Sequence, residues 1–244
     1  MKNALNRFLT ALVLAATLQP AHASDYLRLE ADLDGNKKTE VITASVSPAT
    51  PASGDNPYSR YTVKVGSASY KDQFFAAEGD KPQIDTIRIN FDSGARQILV
   101  TTFPPKGCDY TILAYVNGTL VRLLHHETDI CDPPRLLGYG KIATYSWMGF
   151  WKMEETYTLN GKGDVLSRDP QTLYDVHVLG VAANLATMKR AGCSRSSIPA
   201  GAYVMVDKYD EKNKRYLVRN KSAACGWVPK DSIGEDVAEL PLAD

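Results

Sequence analysis

The sequence predicts an all-β protein, and three observations support that class. Short runs rich in β-branched residues alternate apolar and polar positions, as half-buried strands do, for example YLRLEAD, EVITASV, RYTVKVG, TIRINF and QILVTTF. Gly, Pro, Asn or Asp separates these runs, which is typical of short strands joined by turns. A single segment, 177–192, has a helical pattern. We therefore expect an antiparallel, multi-stranded domain over 24–180, built like a blade or a sandwich.

The N-terminus has the three parts of an export signal. Lys2 and Arg7 precede the apolar run FLTALVLAATL, and AHA at 21–23 has the small residues of a signal-peptidase site. The apolar run is shorter than the ~20 residues of a membrane span, so stable membrane insertion is not expected. We predict cleavage after residue 23 and a periplasmic or secreted mature protein.

The charge of the chain argues against two classes of partner. It has 28 basic and 28 acidic residues, and removal of 1–23 takes away two basic residues and no acidic one. The mature chain is therefore close to neutral. A near-neutral protein is not expected to bind nucleic acid or an anionic membrane through its overall charge.

Four cysteines follow the predicted signal, and an oxidising compartment favours disulfides between them. Sequence alone leaves three pairings open. Pairing of neighbours would keep each bridge within one predicted domain and would contribute roughly 3–4 kcal/mol per bridge in the chain-entropy model. A zinc site is the alternative, which the lack of a C-x-x-C pair disfavours. The neighbour pairs are Cys108–Cys131 and Cys193–Cys225.

Two hairpins are indicated by Asn-Gly pairs between apolar runs. Asn117-Gly118 lies in TILAYVNGTLVRLL, and Asn160-Gly161 lies in FWKMEETYTLNGKGDVLS. Both residue types tolerate the positive φ of a type I′ turn. The segment 47–57 is rich in Pro, Gly and small residues and is expected to be a long loop between two strands.

The segment DLDGNKKTE at 32–40 places oxygen-bearing side chains at alternate positions. A calcium ion takes six to eight oxygen ligands, which a loop can supply at that spacing. The alternative is a polar turn, in which the aspartates accept hydrogen bonds from nearby backbone amides. The candidate metal ligands are Asp32, Asp34, Asn36, Glu40 and the backbone carbonyl of Lys38.

This loop resembles the calcium loop of FG-GAP or VCBS-type repeats over residues 26–46. The resemblance implies β-blade structure, a structural Ca²⁺ ion and a binding or adhesive role. The chain departs from the family pattern in two places: Lys37 stands at the usual glycine, and Glu40 replaces the usual aspartate. An EF-hand is not indicated, because Thr43 stands where its closing glutamate would be.

The segment 193–236 is compact and punctuated by Gly and Pro. Its pattern consists of Ile198-Pro199-Ala200-Gly201, Val204, Val206, Tyr216-Leu217-Val218 and Gly226-Trp227-Val228. The pattern resembles a bacterial Src-homology-3-type (SH3b) domain, which implies a small barrel that recognises peptidoglycan or a peptide. We expect 181–192 to connect the two domains, as a helix that begins at 177, and 237–244 to form a tail. The predicted ligand-binding residues are Tyr209, Tyr216 and Trp227.

Candidate catalytic residues are scattered. The adjacent histidines His125 and His126 would point to opposite faces of a strand, whereas Glu127 and Asp129 would share one face. No G-x-S-x-G motif is present. A carboxylate pair could nevertheless act as acid and base, so a cell-wall hydrolase, or an inhibitor of a secreted enzyme, is the alternative function. Further candidate carboxylates are Asp109, Glu154 and Glu155.

An aromatic segment, YSWMGFWKMEETY at 145–157, is either a platform for a sugar or peptide or part of the core. The pattern as a whole favours an exported, non-catalytic binding protein. Its expected ligand is cell-wall peptidoglycan or a peptide, bound through the SH3b-like segment 193–236. Its expected cofactor is a structural Ca²⁺ in the N-terminal domain.

Overall fold

The structure is a computed structural model that describes residues 25–48, 58–75, 81–183, 185, 189–190, 197–222 and 224–241. These residues are almost entirely β, which confirms the predicted all-β class. Their strands form four antiparallel sheets. No helix in the described ranges is long and apolar enough to cross a membrane.

The first three sheets are each made of four strands that are consecutive in sequence and adjacent in space. The first contains β1 (Asp25–Ala31), β2 (Glu40–Pro48), β3 (Tyr58–Val65) and β4 (Ala68–Phe75). The second contains β5 (Gln83–Ile87), β6 (Gln97–Thr102), β7 (Cys108–Val116) and β8 (Thr119–Thr128). The third contains β9 (Arg135–Gly138), β10 (Lys141–Trp147), β11 (Lys152–Leu159) and β12 (Leu166–Arg168).

The fourth sheet has six strands and forms a half-barrel, in which β13 pairs with β15 on one side and with β18 on the other. Its spatial order is β14-β17-β16-β15-β13-β18. A 3-10 helix at Lys230–Ser232 and the short helix α1 (Ile233–Asp236) precede the last strand. The strands are β13 (Leu173–Ala182), β14 (Lys189–Arg190), β15 (Tyr203–Asp210), β16 (Arg215–Asn220), β17 (Cys225–Pro229) and β18 (Val237–Ala238).

The helix predicted over 177–192 is wrong where the structure describes it. Residues up to 182 continue β13, and 189–190 form β14; most of the remaining predicted connector lies outside the described residues. A short apolar run such as HVLGVAA fits either a strand or a buried helix, and its pairing with β15 decides between them. The fourth sheet therefore begins before the predicted connector.

The loops that precede the second strands of the first three sheets are bonded to one another. The backbone N–H of Arg96, before β6, donates to the carbonyl of Asp32, before β2, at 2.9 Å. The N–H of Gly140, before β10, donates to the carbonyl of Ile89 at 3.2 Å. The second and third sheets are thus each joined to the preceding sheet through an equivalent pair of loops, as expected for sheets stacked in series.

Apolar cores lie between successive sheets, and β6 contributes to two of them. Ile98 and Val100 pack in the core shared by the first and second sheets. Leu99 points the other way, into a core that also contains Ile142 of the third sheet. Because both faces of β6 are covered, all six of its residues are buried, and the second sheet lies between its neighbours.

The turn between β10 and β11 extends the third sheet into the core of the fourth. Phe150 and Trp151 are buried among the side chains of the half-barrel. The indole N–H of Trp151 donates to the hydroxyl of Tyr216 at 3.1 Å, and its ring lies 5.8 Å from the ring of Tyr209. Phe150 and Trp151 are therefore core residues and not part of a ligand-binding platform.

The predicted hairpins both form, with different turns. Asn117 and Gly118 have φ of 51° and 77°, as the predicted type I′ turn requires. The second hairpin joins β11 and β12 through a six-residue loop, 160–165, rather than a two-residue turn. The side-chain oxygen of Asn160 closes that loop by accepting the N–H groups of Asp164 and Val165, at 3.1 and 3.3 Å.

The predicted bond between Cys108 and Cys131 is present and links the start of β7 to the chain that follows β8. Cys225 is also disulfide-bonded. Cys193 lies outside the described residues, so the predicted Cys193–Cys225 pairing stays a prediction.

Candidate functional site

A cleft of about 690 Å³ lies where β4 of the first sheet approaches β8 of the second. The end of β10, from the third sheet, forms a further part of its wall. Three sheets therefore contribute to the cleft, and its shape depends on how they stack. Its lining includes Tyr58, Phe75, Lys106, Arg122, Glu127 and Trp147.

Two carboxylates lie side by side in this cleft. Asp109 of β7 is directly opposite Glu127 of β8, and the Cβ atoms of such cross-strand pairs are about 4.5–5.5 Å apart. Burial raises the pKa of Asp109, and the negative charge of Glu127 raises it further. The structure thus brings together two residues that the sequence showed only as scattered carboxylates.

His125 connects this pair to the interior of the second sheet. Its Nε2 lies 3.2 Å from Oε1 of Glu127, and its Nδ1 lies 3.0 Å from Oγ1 of Thr111. A chain of hydroxyl, imidazole and carboxylate is the arrangement of a catalytic triad. Thr111, however, is only 3% exposed and does not line the cleft. A hydroxyl that substrate cannot reach is not a nucleophile, so this chain holds the wall of the cleft in place.

The neighbouring histidine confirms the prediction that the two rings point to opposite faces. His126 is buried on the other side of β8, and its Nε2 lies 2.9 Å from the carbonyl oxygen of Tyr145. The pair therefore cannot share one metal ion. Within the described residues, the histidines form no metal-ligand group of three with cysteine or carboxylate neighbours.

The charged groups of the cleft are of both signs. Arg122 lies 3.8 Å from Asp72, which also accepts a hydrogen bond of 2.6 Å from the hydroxyl of Tyr70. Lys106 is exposed on the loop between β6 and β7. The cleft can therefore meet a ligand that carries polar and charged groups, and Asp129 adds a further exposed carboxylate to its wall.

Aromatic rings lie at the rim of the cleft. Tyr58 is 45% exposed and packs edge-on against Phe75, with ring centroids 6.1 Å apart. Trp147, at the end of β10, is half-buried and lines the same cleft. Such rings offer stacking surface to a sugar, a peptide or a cation.

The predicted metal loop brings its carboxylates close together. Asp32, Asp34 and Glu40 can each present an oxygen within 4.8 Å of the others, a hard oxygen set that suits Ca²⁺. Asp34 is exposed, and its carboxylate accepts the N–H of Asn36 at 3.0 Å. Lys37 has φ of 68°, so it adopts the left-handed conformation for which glycine is usual. The three carboxylates would supply part of the oxygen set that a Ca²⁺ ion takes.

The same loop also makes the bonds of a polar turn. The carboxylate of Asp32 accepts the N–H of Gly35 at 2.7 Å and that of Lys37 at 2.9 Å. The side-chain oxygen of Asn36 accepts the N–H of Lys38 at 2.7 Å. These contacts are those of the alternative that the sequence left open, and they hold the loop in shape.

A further hydrogen bond of this loop has a counterpart in the second sheet. Glu40, at the start of β2, accepts the N–H of Leu33 at 2.8 Å. Gln97, at the start of β6, accepts the N–H of Ile89 at 3.1 Å. Because the neutral side-chain amide of Gln97 accepts this bond in the second sheet, the equivalent bond to Glu40 requires an oxygen acceptor and not a negative charge.

The structure corrects two of the three predicted ligand-binding aromatics. Tyr209 and Tyr216 are each 1% exposed, and their rings pack 4.8 Å apart beneath Trp151. Both rings are therefore core residues, and Tyr216 also borders a cavity of about 520 Å³ next to Phe150 and Ile233. Trp227 is half-buried, and the guanidinium of Arg215 lies 4.4 Å from its ring centroid. Strand alternation alone could not show that the turn between β10 and β11 covers this face.

No protein-family model, curated protein or solved structure matches the chain. The resemblances of the 32–40 loop and of the C-terminal segment therefore stay predictions, and the function is inferred from the geometry of the cleft.

Proposed function

We propose that this protein is an exported, non-catalytic binding protein that engages cell-wall peptidoglycan or a peptide ligand through the cleft between the first and second sheets. The observation that carries the proposal is the composition of that cleft. It combines carboxylates, cations and partly exposed rings in about 690 Å³, and peptides and wall fragments offer the matching amide, charged and apolar groups.

The export signal at 1–23 and the bridged cysteines support a periplasmic or secreted location. The oxygen-rich loop would hold a structural Ca²⁺ through Asp32, Asp34 and Glu40. Carboxylates used as ligands are not free for acid–base work, so the ion would stabilise the stacked sheets and take no part in ligand binding.

The carboxylate pair favours a second candidate, a cell-wall hydrolase. Asp109, whose pKa is raised by burial and by Glu127, would donate a proton, and Glu127 would activate water. The two candidates differ in turnover. Soluble fragments released from peptidoglycan by the wild type, and not by Glu127→Gln, would favour the hydrolase.

The proposal is tested by co-sedimentation of the mature protein, residues 24–244, with insoluble peptidoglycan. Replacement of the rim residue Tyr58 by Ala should weaken retention roughly fivefold, the loss expected for about 1 kcal/mol of aromatic contact. The matched control is Tyr203→Ala. Tyr203 is 74% exposed on β15, in the predicted SH3b segment and outside the cleft.

Retention unchanged by Tyr58→Ala and lost in Tyr203→Ala would contradict the cleft as the binding surface. Point substitutions are preferred to truncation before residue 193. Truncation there would remove β15 to β18 and expose Trp151. The remaining chain would then lose retention because it is unfolded, whether or not the removed segment binds the ligand.

A further inference from the structure

The charges that line the cleft are not balanced. Its four carboxylates face one lysine, one arginine and one histidine. Arg122 lies against Asp72, so it forms no ion pair with the other three carboxylates of the cleft. In the part of the chain that the structure describes, Asp109 forms no ion pair and Glu127 pairs only with His125. The cleft therefore has two more carboxylates than Lys and Arg side chains, and one more even if His125 is counted with them.

A cation between these two carboxylates would reduce the repulsion between them. Asp109 and Glu127 are directly opposite on neighbouring strands, and like charges in that position repel each other. The raised pKa of Asp109 has this repulsion as its second cause, after burial. A positive group between the two carboxylates would favour the ionised form of both.

The remainder of the cleft also suits a cation. Trp147 lines its wall, and Tyr58 and Phe75 lie at its rim. Aromatic faces attract ammonium groups because the ring quadrupole is negative above the ring plane. Carboxylates and rings in one cavity thus offer both the charge and the surface that an organic cation requires.

Resting on the proposed function, we infer that the cleft selects ligands with a free ammonium group and holds that group between Asp109 and Glu127. The ligand supplies the cationic partner for Asp109, which forms no ion pair within the described residues. The ammonium donates hydrogen bonds to both carboxylates, while the rest of the ligand lies against the rings. A primary amine on a peptide or on a wall fragment meets this requirement, and a neutral oligosaccharide does not.

The experiment compares insoluble peptidoglycan before and after acetylation of its free amino groups, with the mature protein as the binder. Wild-type protein should be retained about tenfold less by the acetylated material, because acetylation removes the charge and two of the three donors. Glu127→Gln should reduce retention on untreated material to a similar extent. The Glu127 side chain is 76% exposed, so this variant should fold.

Two controls accompany the comparison. Glu30→Gln removes an exposed carboxylate from β1, at the opposite edge of the first sheet from β4, and should leave retention unchanged. Lowering the pH should weaken retention as Asp109 becomes protonated. That loss should occur at a higher pH than for an ordinary aspartate, because burial and Glu127 raise its pKa. It should be smaller in Asp109→Asn, where Glu127 is the one carboxylate of the pair that acid can still neutralise.

The possible results distinguish failure of the ammonium inference from failure of the proposed function. Equal retention on both materials, together with normal retention of Glu127→Gln, would overturn the ammonium inference and leave the proposed function standing. No retention on either material would overturn the proposed function itself.

Discussion

Trp151 lies where the third sheet enters the core of the fourth, so its replacement tests whether the two sheets unfold together. The side chain is 4% exposed, and its N–H donates to the hydroxyl of Tyr216. Truncation of a buried aromatic residue to Ala costs about 3–5 kcal/mol. The hydroxyl of Tyr216 would also lose its donor, at a cost of about 1 kcal/mol. We therefore expect Trp151→Ala to lower the free energy of unfolding by at least about 3 kcal/mol.

Urea unfolding of the mature protein, followed by fluorescence and far-ultraviolet circular dichroism, measures this loss. Trp151→Phe keeps most of the ring and removes the N–H, so its loss should be smaller. Trp147→Ala is the matched control, since Trp147 lies in the same segment and is only half-buried. The two signals should shift together. A loss below about 1 kcal/mol in Trp151→Ala, or a separate early transition of one half of the chain, would refute the shared core.

Two further predictions concern the bonds and ions that hold the first two sheets. Replacement of Cys108 and Cys131 by Ser should lower the free energy of unfolding by about 3 kcal/mol, since their bond closes a loop with a sequence separation of 23; an unchanged urea midpoint would contradict a stabilising role. Calcium at 100 times its Kd should stabilise the fold by about 2.7 kcal/mol, seen as a higher melting temperature. That shift should vanish in the variant Asp32→Ala/Asp34→Ala, and an equal shift in the variant would place the ion elsewhere.

The features that the sequence predicted correctly are local ones. Alternating β-branched runs become strands because each strand buries one face or both. The turn at Asn117-Gly118 forms because both residues tolerate positive φ. The segment from 177 is a strand and not the expected helix, and the predicted ligand-binding residues Tyr209 and Tyr216 lie in the core, for a common reason. Both depend on which distant segment covers a face, and local spacing carries no such information.

The carboxylate pair of the cleft could not be predicted from the turn that precedes β8. Counting outwards from Asn117-Gly118 places Asp109 opposite His126. A bulge near Ile112 shifts the register by one residue, so that Glu127 takes that place. A one-residue shift exchanges the two faces of a strand. The pair in the cleft therefore depends on an irregularity that the sequence does not signal.

The most direct test of the binding cleft is nuclear magnetic resonance of the isotope-labelled mature protein, titrated with soluble peptidoglycan fragments that carry a free amine. Binding in the cleft predicts that the largest shift changes fall on His125, Glu127 and the indole N–H of Trp147. Changes confined to the exposed face of the fourth sheet, around Leu179 and Tyr203, would contradict it.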